Sequence, residues 1–148
     1  MSIESEKWDH PHPFTLQTRV FAEDIDGLQH TNNTVYVKWC EQVAWAHSVS
    51  LGLDLDSYRD LNRAMAIIRA EYHYLRASHE GQEIVAATWI TGWDKKLTMK
   101  REFQIIRVED DVTLLRAKMQ FACIDLSSGR PRRMPPEFIA GYGSAVLK

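Results

Sequence analysis

From Phe14 to Ala22, apolar or small residues at Phe14, Leu16, Thr18, Val20 and Ala22 alternate with Thr15, Gln17 and Arg19. A period of two belongs to a strand with one buried face, and this is the first predicted strand. The period then changes. Val35, Trp39, Val43, Ala46 and Val49 recur at three and four, and Tyr36, Cys40 and Ala44 widen the stripe, which predicts a helix of about five turns covered on most sides. Thr31, Asn32 and Asn33 offer capping side chains at its start, and Gly52 can close its end in the left-handed conformation. The stretch DLDSYRDLN, Asp54 to Asn62, reads as a short helical turn or loop.

Four strands are predicted next. Ile68, Ala70, Tyr72 and Tyr74 alternate with Arg69, Glu71 and His73, and Ile84 to Trp93 is apolar on both faces. Met99, Arg101, Phe103 and Ile105 interleave with Lys100, Glu102 and Gln104; Leu115, Ala117, Met119, Phe121 and Cys123 do so with Arg116, Lys118 and Gln120. HEGQ, WDKK, VEDD and LSSGR supply the turns. PPEFIAGYG, Pro135 to Gly143, predicts a short helix with proline in its first turn and glycine at its stop. Consecutive strands joined by short turns pair antiparallel, so the order strand, long helix, four strands predicts an α+β protein with one buried helix on an antiparallel sheet. A hotdog and a cystatin-like roll both satisfy this pattern. A ferredoxin-like fold would need a second full helix between the later strands.

At 148 residues the chain is long enough for one core, so a single domain over 14–148 is expected behind an aperiodic N-terminal tail, 1–13, in which prolines flank His12. A net charge of −2 provides no strong field for nucleic acid or an anionic membrane. No apolar run approaches the roughly 18 residues needed to span a bilayer. The N-terminus carries acids where a secretory signal would place basic residues and an apolar run, so a cytoplasmic location is expected. Cys40 and Cys123 are far apart, with no CxxC, and read as small buried residues rather than a disulfide or metal cluster.

Chemistry concentrates in EDIDGLQHTNN, Glu23 to Asn33, at the strand-to-helix junction. Asp24 and Asp26 are two apart and face opposite ways in an extended backbone, so they are no matched carboxylate pair. Capping and turn formation account for Asp24. Around Asp26, Gly27 lets the chain turn, and His30, Asn32 and Asn33 follow at four, six and seven residues. Such a loop can gather a carboxylate, an imidazole and a carboxamide at a helix start whose N–H groups polarise a carbonyl, the parts that acyl transfer requires. Asp, Gly, His and Asn are equally ordinary loop formers.

The segment RVFAEDIDGLQHTNNTVYVKWCEQ resembles the opening motif of the 4-hydroxybenzoyl-CoA thioesterase family of hotdog proteins, roughly D-x-D-x-x-G-H-x-N-N-x-x-Y followed by a helical Glu. Asp24, Asp26, His30, Asn32, Asn33, Tyr36 and Glu41 fall in register, and YLRASHEGQEIV, Tyr74 to Val85, is similar to that family's second signature. The resemblance spans the chain from Phe14 and implies a hotdog fold, a curved antiparallel five-stranded sheet wrapped around one long helix. It also implies an acyl-CoA thioesterase. In that role Asp26 attacks the thioester or activates water; His30 and Asn33 join it as catalytic candidates, and Asn32, Tyr36 and Tyr72 as substrate-binding candidates. The chain departs from the family at Gln29, where the motif has glycine, at Ala22, where some branches have an active-site tyrosine, and at Gly81-Gln82, where an acid is usual.

No cofactor and no metal are expected, coenzyme A being part of the substrate. The expected assembly is a homodimer or dimer of dimers with joined sheets, the strand around Tyr72 of a second copy completing the site. Two other readings stand beside hydrolysis: an enoyl- or hydroxyacyl-CoA hydratase, and a non-catalytic acyl-CoA binder. Glu41 reads as half of a buried ion pair, and His47, His73 and His79 as solvated or edge residues. Lys95, Lys96, Lys100, Arg101, Arg130, Arg132 and Arg133 could meet coenzyme A phosphates, although solvated turns and strand faces account for them.

Overall fold

The computed structural model describes residues 7–148. Its strands are β1 (Phe14–Arg19), β2 (Arg63–Tyr74), β3 (Glu83–Trp93), β4 (Thr98–Arg107) and β5 (Val112–Asp125). Its helices are α1 (Asn33–Ser50), α2 (Leu55–Leu61) and α3 (Pro136–Ala145), with a 3-10 turn at Ala22–Asp24. The sheet order is β1-β3-β4-β5-β2. β1 runs antiparallel to β3 in a register from Phe14 opposite Thr88 to Arg19 opposite Glu83. Leu75 N–H bonds Leu114 O and Leu126 N–H bonds Asn62 O, so β2 begins where β5 ends and ends where β5 begins. Five antiparallel strands with one long helix realise the α+β order expected from the pattern.

By their contacts the described residues form two compact units, and β2 to β5 and α1 each contribute to both. The first holds the chain through Ala44, Tyr72–Thr88 and Phe103–Ala117. Its core is the start of α1, through Tyr36, Trp39, Cys40 and Val43, with Ile84, Ala86, Phe103, Ile105, Leu115 and Ala117 from the strands. Part of the expected tail is laced onto this unit. Gln104, wholly buried, accepts the Asp9 N–H at 2.9 Å and donates to Lys7 O at 2.8 Å, while Arg116 clasps the Asp9 carboxylate at 2.7 Å. Residues 1–6 of that stretch lie outside the described residues.

The second unit holds Trp45–Glu71, Trp89–Glu102 and Lys118–Lys148. Its core combines Leu53, Tyr58, Ile90, Met99, Met119, Phe121, Cys123, Phe138 and Tyr142. A polar thread runs through it. Arg101 is 2% exposed and its guanidinium donates to His47 Nδ1 at 2.9 Å. The Tyr142 hydroxyl is hydrogen-bonded to the Tyr58 hydroxyl and, at 3.0 Å, to Ser48 Oγ. His47 is therefore a buried core residue and not the solvated one expected, and Arg101 is no surface cation. The reason is register: the buried line of α1 runs through Tyr36, Cys40, Val43 and His47, leaving Val49 56% exposed. Glu41 lies off that line and is exposed, so the buried ion pair expected of it is not formed.

Local signals explain most element ends. Gly52 closes α1 at φ +81°, and Asp54 caps α2 by accepting the Ser57 N–H at 2.8 Å. β2 begins at Arg63, five residues ahead of the Ile68 expected, because Asn62 in the left-handed conformation ends α2 and the chain enters the strand directly. β2 is an edge strand with both faces open, Ile67 and Ile68 being 53% and 57% exposed.

Candidate active site

The loop from β1 to α1 is built on its own side chains. Asp24 Oδ2 accepts the Phe21 N–H at 2.9 Å and closes the 3-10 turn, a turn-forming role. Asp24 O then accepts the Asn32 N–H at 2.8 Å. Asn32 Oδ1 receives the Thr34 N–H at 3.0 Å and the Thr34 hydroxyl at 2.9 Å, which makes Asn32 the cap of α1. Between them, Asp26 and His30 are reciprocally bonded. Asp26 N–H donates to His30 O at 2.8 Å, and His30 N–H donates to Asp26 Oδ1 at 3.3 Å.

Asp26 Oδ1 also accepts the Leu28 N–H at 2.9 Å. Among the described residues no donor occupies Oδ2, so half of the carboxylate fixes the loop and half is free. The tight turn needs a left-handed residue, and it is not Gly27 that provides it. Gln29 does, at φ +64°, in the place where the resembled motif carries glycine.

Asp26 is half-buried beside a cavity of about 380 Å³. One wall is the loop itself, through Asp26, Leu28, His30, Asn32 and Asn33. The other is formed by Tyr74 at the end of β2 and by Leu75, Arg76 and Ala77 directly after it. Thr31 and Tyr36, both buried, also line it. Tyr74 donates its hydroxyl to Asn33 O at 3.3 Å across the rim.

Of the residues singled out from sequence, Asp26, His30, Asn32, Asn33 and Tyr36 meet at this cavity. The His30 ring lies edge-to-face on His79 with centroids 5.2 Å apart. The Asn33 N–H, first in α1, meets no acceptor among the described residues. Tyr36 is 3% exposed; burial pushes its phenol up from the ordinary value, against hydrogen bonds with Ser78 that pull it down. Tyr72 does not line the cavity. It stacks on Tyr74 at 6.4 Å, and burial, then the neighbouring Cys40, Tyr74 and Glu41, push its hydroxyl up.

Ser78 and Arg76 were not singled out, and Thr31 only as a capping candidate for α1. For Ser78 no local pattern distinguishes a lone serine in SHEGQ; for Arg76 the signal was its place in the second signature. Cys40 is buried with its thiol pushed up to about 12, which removes it as a nucleophile at neutral pH. No group of three or more metal-ligand side chains exists among the described residues.

A five-stranded antiparallel sheet with one long helix, and a cavity at that helix's start, is the architecture of the hotdog class. The chain belongs to the thioesterase-like superfamily, whose profile matches residues 10–141. A 1,4-dihydroxy-2-naphthoyl-CoA thioesterase from Synechocystis has the same fold, with TM-score 0.80, 19% identity and coverage of 89% of this chain and 96% of that one. A Staphylococcus aureus protein solved in complex with CoA matches at TM-score 0.82 and 21% identity, covering 93% of this chain and 87% of that one. These likenesses decide for the hotdog over the cystatin-like roll. The THEM6 protein of Danio rerio is 31% identical over 78 residues, 53% of this chain and 38% of that protein's length. No helix among the described residues is long and apolar enough to cross a membrane.

Proposed function

We propose that the protein hydrolyses an acyl-CoA thioester to the free acid and coenzyme A, with Asp26 as nucleophile or general base. The observation that carries this reading is the divided carboxylate. Oδ1 is held by the Leu28 and His30 N–H groups, and Oδ2 is left for chemistry at the cavity. As a base, Asp26 takes a proton from water while the water oxygen bonds to the thioester carbon and the C–S electron pair leaves with the thiol. As a nucleophile, its oxygen bonds to that carbon while the C–S electron pair leaves on the thiolate, and water then cleaves the resulting anhydride to the free acid and the Asp26 carboxylate.

In this reading the Asn33 N–H donates to the carbonyl oxygen, a donor of a kind whose removal costs about 3 kcal/mol in other acyl-transfer sites. Asn33 and His30 orient the acyl group and water, the Asn32 cap holds the helix start, and the Tyr36 ring forms part of the lining. Arg76, exposed on the opposite wall, suits an anionic phosphate of the thiol carrier. A homodimer, or a dimer of dimers, is the assembly that the open β2 edge favours: its exposed Ile67 and Ile68 call for a second copy, and the strand around Tyr72 of that copy would close the site.

Thiol release from a panel of short, long and aromatic acyl-CoA and acyl carrier protein thioesters tests the reading. Wild type should release thiol from at least one, and Asp26→Asn should lower turnover by about 100-fold or more. Equal rates for the two proteins would overturn it, as would hydration of an enoyl-CoA without thiol release or binding without turnover.

A further inference from the structure

The two walls of the Asp26 cavity come from separate parts of the chain, the loop through Asn33 and the segment after β2. Ser78, 0% exposed, joins them. Its carbonyl accepts the Thr31 N–H at 3.0 Å and the Thr31 hydroxyl at 3.2 Å. Its own hydroxyl donates to Thr31 Oγ1 at 2.7 Å. A serine hydroxyl has one proton, and here it is used, so the Tyr36 hydroxyl, 2.7 Å from Ser78 Oγ, must be the donor in that bond. The three hydroxyls thus form a buried chain with one direction, from Tyr36 to Ser78 to Thr31 and back to the Ser78 carbonyl. Burial, which keeps the Tyr36 phenol protonated, agrees with that direction.

Thr31 is also where this chain of hydroxyls meets the carboxylate. It pairs with Ile25 in a β-bridge around the turn, and the residue before it, His30, holds Asp26 through both its N–H and its carbonyl. A shift of Thr31 therefore moves the groups that aim Asp26. We propose that Ser78 is a positioning residue for the thioester hydrolysis assigned above, setting the distance between the Asp26 loop and the opposite wall. The same bond commits the Tyr36 hydroxyl proton to Ser78, which leaves the ring as the part of Tyr36 that serves the site. The proposal rests on the hydrolase reading for its kinetic consequence but not for its structural one.

The experiment compares Ser78→Ala, Tyr36→Phe, their combination, Thr31→Val and Thr31→Ser. Thiol-release kcat and KM and amide exchange at Leu28 and His30 are read for each. Ser78→Ala should lower kcat by about 10- to 100-fold with KM changed less than about threefold, the signature of a misaimed group rather than lost binding. Exchange at the two amides should quicken by about tenfold. Tyr36→Phe should add nothing in the Ser78→Ala background, because its hydroxyl acts only through Ser78.

Thr31→Val keeps the shape and loses the hydroxyl, whereas Thr31→Ser does the reverse, so Val should be the slower enzyme; packing alone would order them the other way. That pair decides the matter if Ser78→Ala does not fold. Wild-type kcat in Ser78→Ala or Thr31→Val, with Asp26→Asn inactive, overturns the proposal and leaves the hydrolase reading standing. A wild type inert on every thioester, with quickened Leu28 exchange in Ser78→Ala, sinks the hydrolase reading while upholding the relay's grip on the loop. Unchanged exchange sinks the relay.

Discussion

Asp26 accepts the Leu28 N–H at 2.9 Å on one carboxylate oxygen, and that bond ties the candidate nucleophile to the shape of its own loop. Structure and chemistry at this residue can be separated by choice of replacement. Asparagine retains an Oδ1 acceptor and should hold the loop, with unfolding free energy within about 0.5 kcal/mol of wild type. Alanine removes the acceptor of the Leu28 and His30 N–H groups, which water can replace at this exposed turn, and should cost about 0.5–1.5 kcal/mol. Both should lose turnover, and urea unfolding beside thiol release distinguishes the two effects.

Gln29 sits at φ +64°, where a side chain costs about 1–2 kcal/mol that glycine does not. Glycine loses more freedom on folding, which offsets part of the gain. Gln29→Gly should therefore raise stability by about 0.5–1 kcal/mol in thermal unfolding. A loss of stability instead would mean that the Gln29 side chain contributes something its exposed position does not suggest.

The His47–Arg101 pair sets a pH dependence. Burial first, then the Arg101 charge, lowers the His47 pKa from 6.5 to about 4. The unfolded chain therefore binds more protons than the folded one between these values. The neutral-His47 contribution is fully present above about pH 6.5 and is lost as pH falls toward 4, by up to about 3 kcal/mol. His47→Gln, which cannot take up the proton, should flatten that part of the acid slope in urea unfolding between pH 7 and 4.5.

Gly143 in α3 is held to its small size by a ring. A Cβ there would lie 2.6 Å from Trp93 Cη2, closer than carbon atoms approach. Alanine would otherwise favour the helix by about 1 kcal/mol. Gly143→Ala should nonetheless destabilise by about 1–3 kcal/mol as the indole is displaced, measurable by thermal unfolding and by the Trp93 environment in near-UV circular dichroism.

The elements with a single period were legible in the sequence. The alternation of Leu115 to Cys123 and the three-and-four spacing after Asn33 record burial against one neighbour, and one neighbour leaves one period. Asp26, His30, Asn32 and Asn33 were legible because a short loop brings them together by chain connection alone. What was not legible depends on two distant segments meeting. Ser78 matters only once it lies against Thr31 and Tyr36, 47 and 42 residues away. His47 and Arg101 each read as surface groups until α1 and β4 are packed, although Arg101 falls in phase with Met99, Phe103 and Ile105 and so faced inward from the start. Tyr72 was expected at the site through a second copy, and within one copy it stands outside the cavity.

The lacing of Lys7 and Asp9 onto Gln104 bears on how this protein is handled. A polypeptide trimmed back to Phe14 would strip a wholly enclosed primary amide of the donor that Asp9 gives its Oε1 and release the Arg116 clasp. The smallest piece that keeps that amide satisfied therefore starts no later than Lys7.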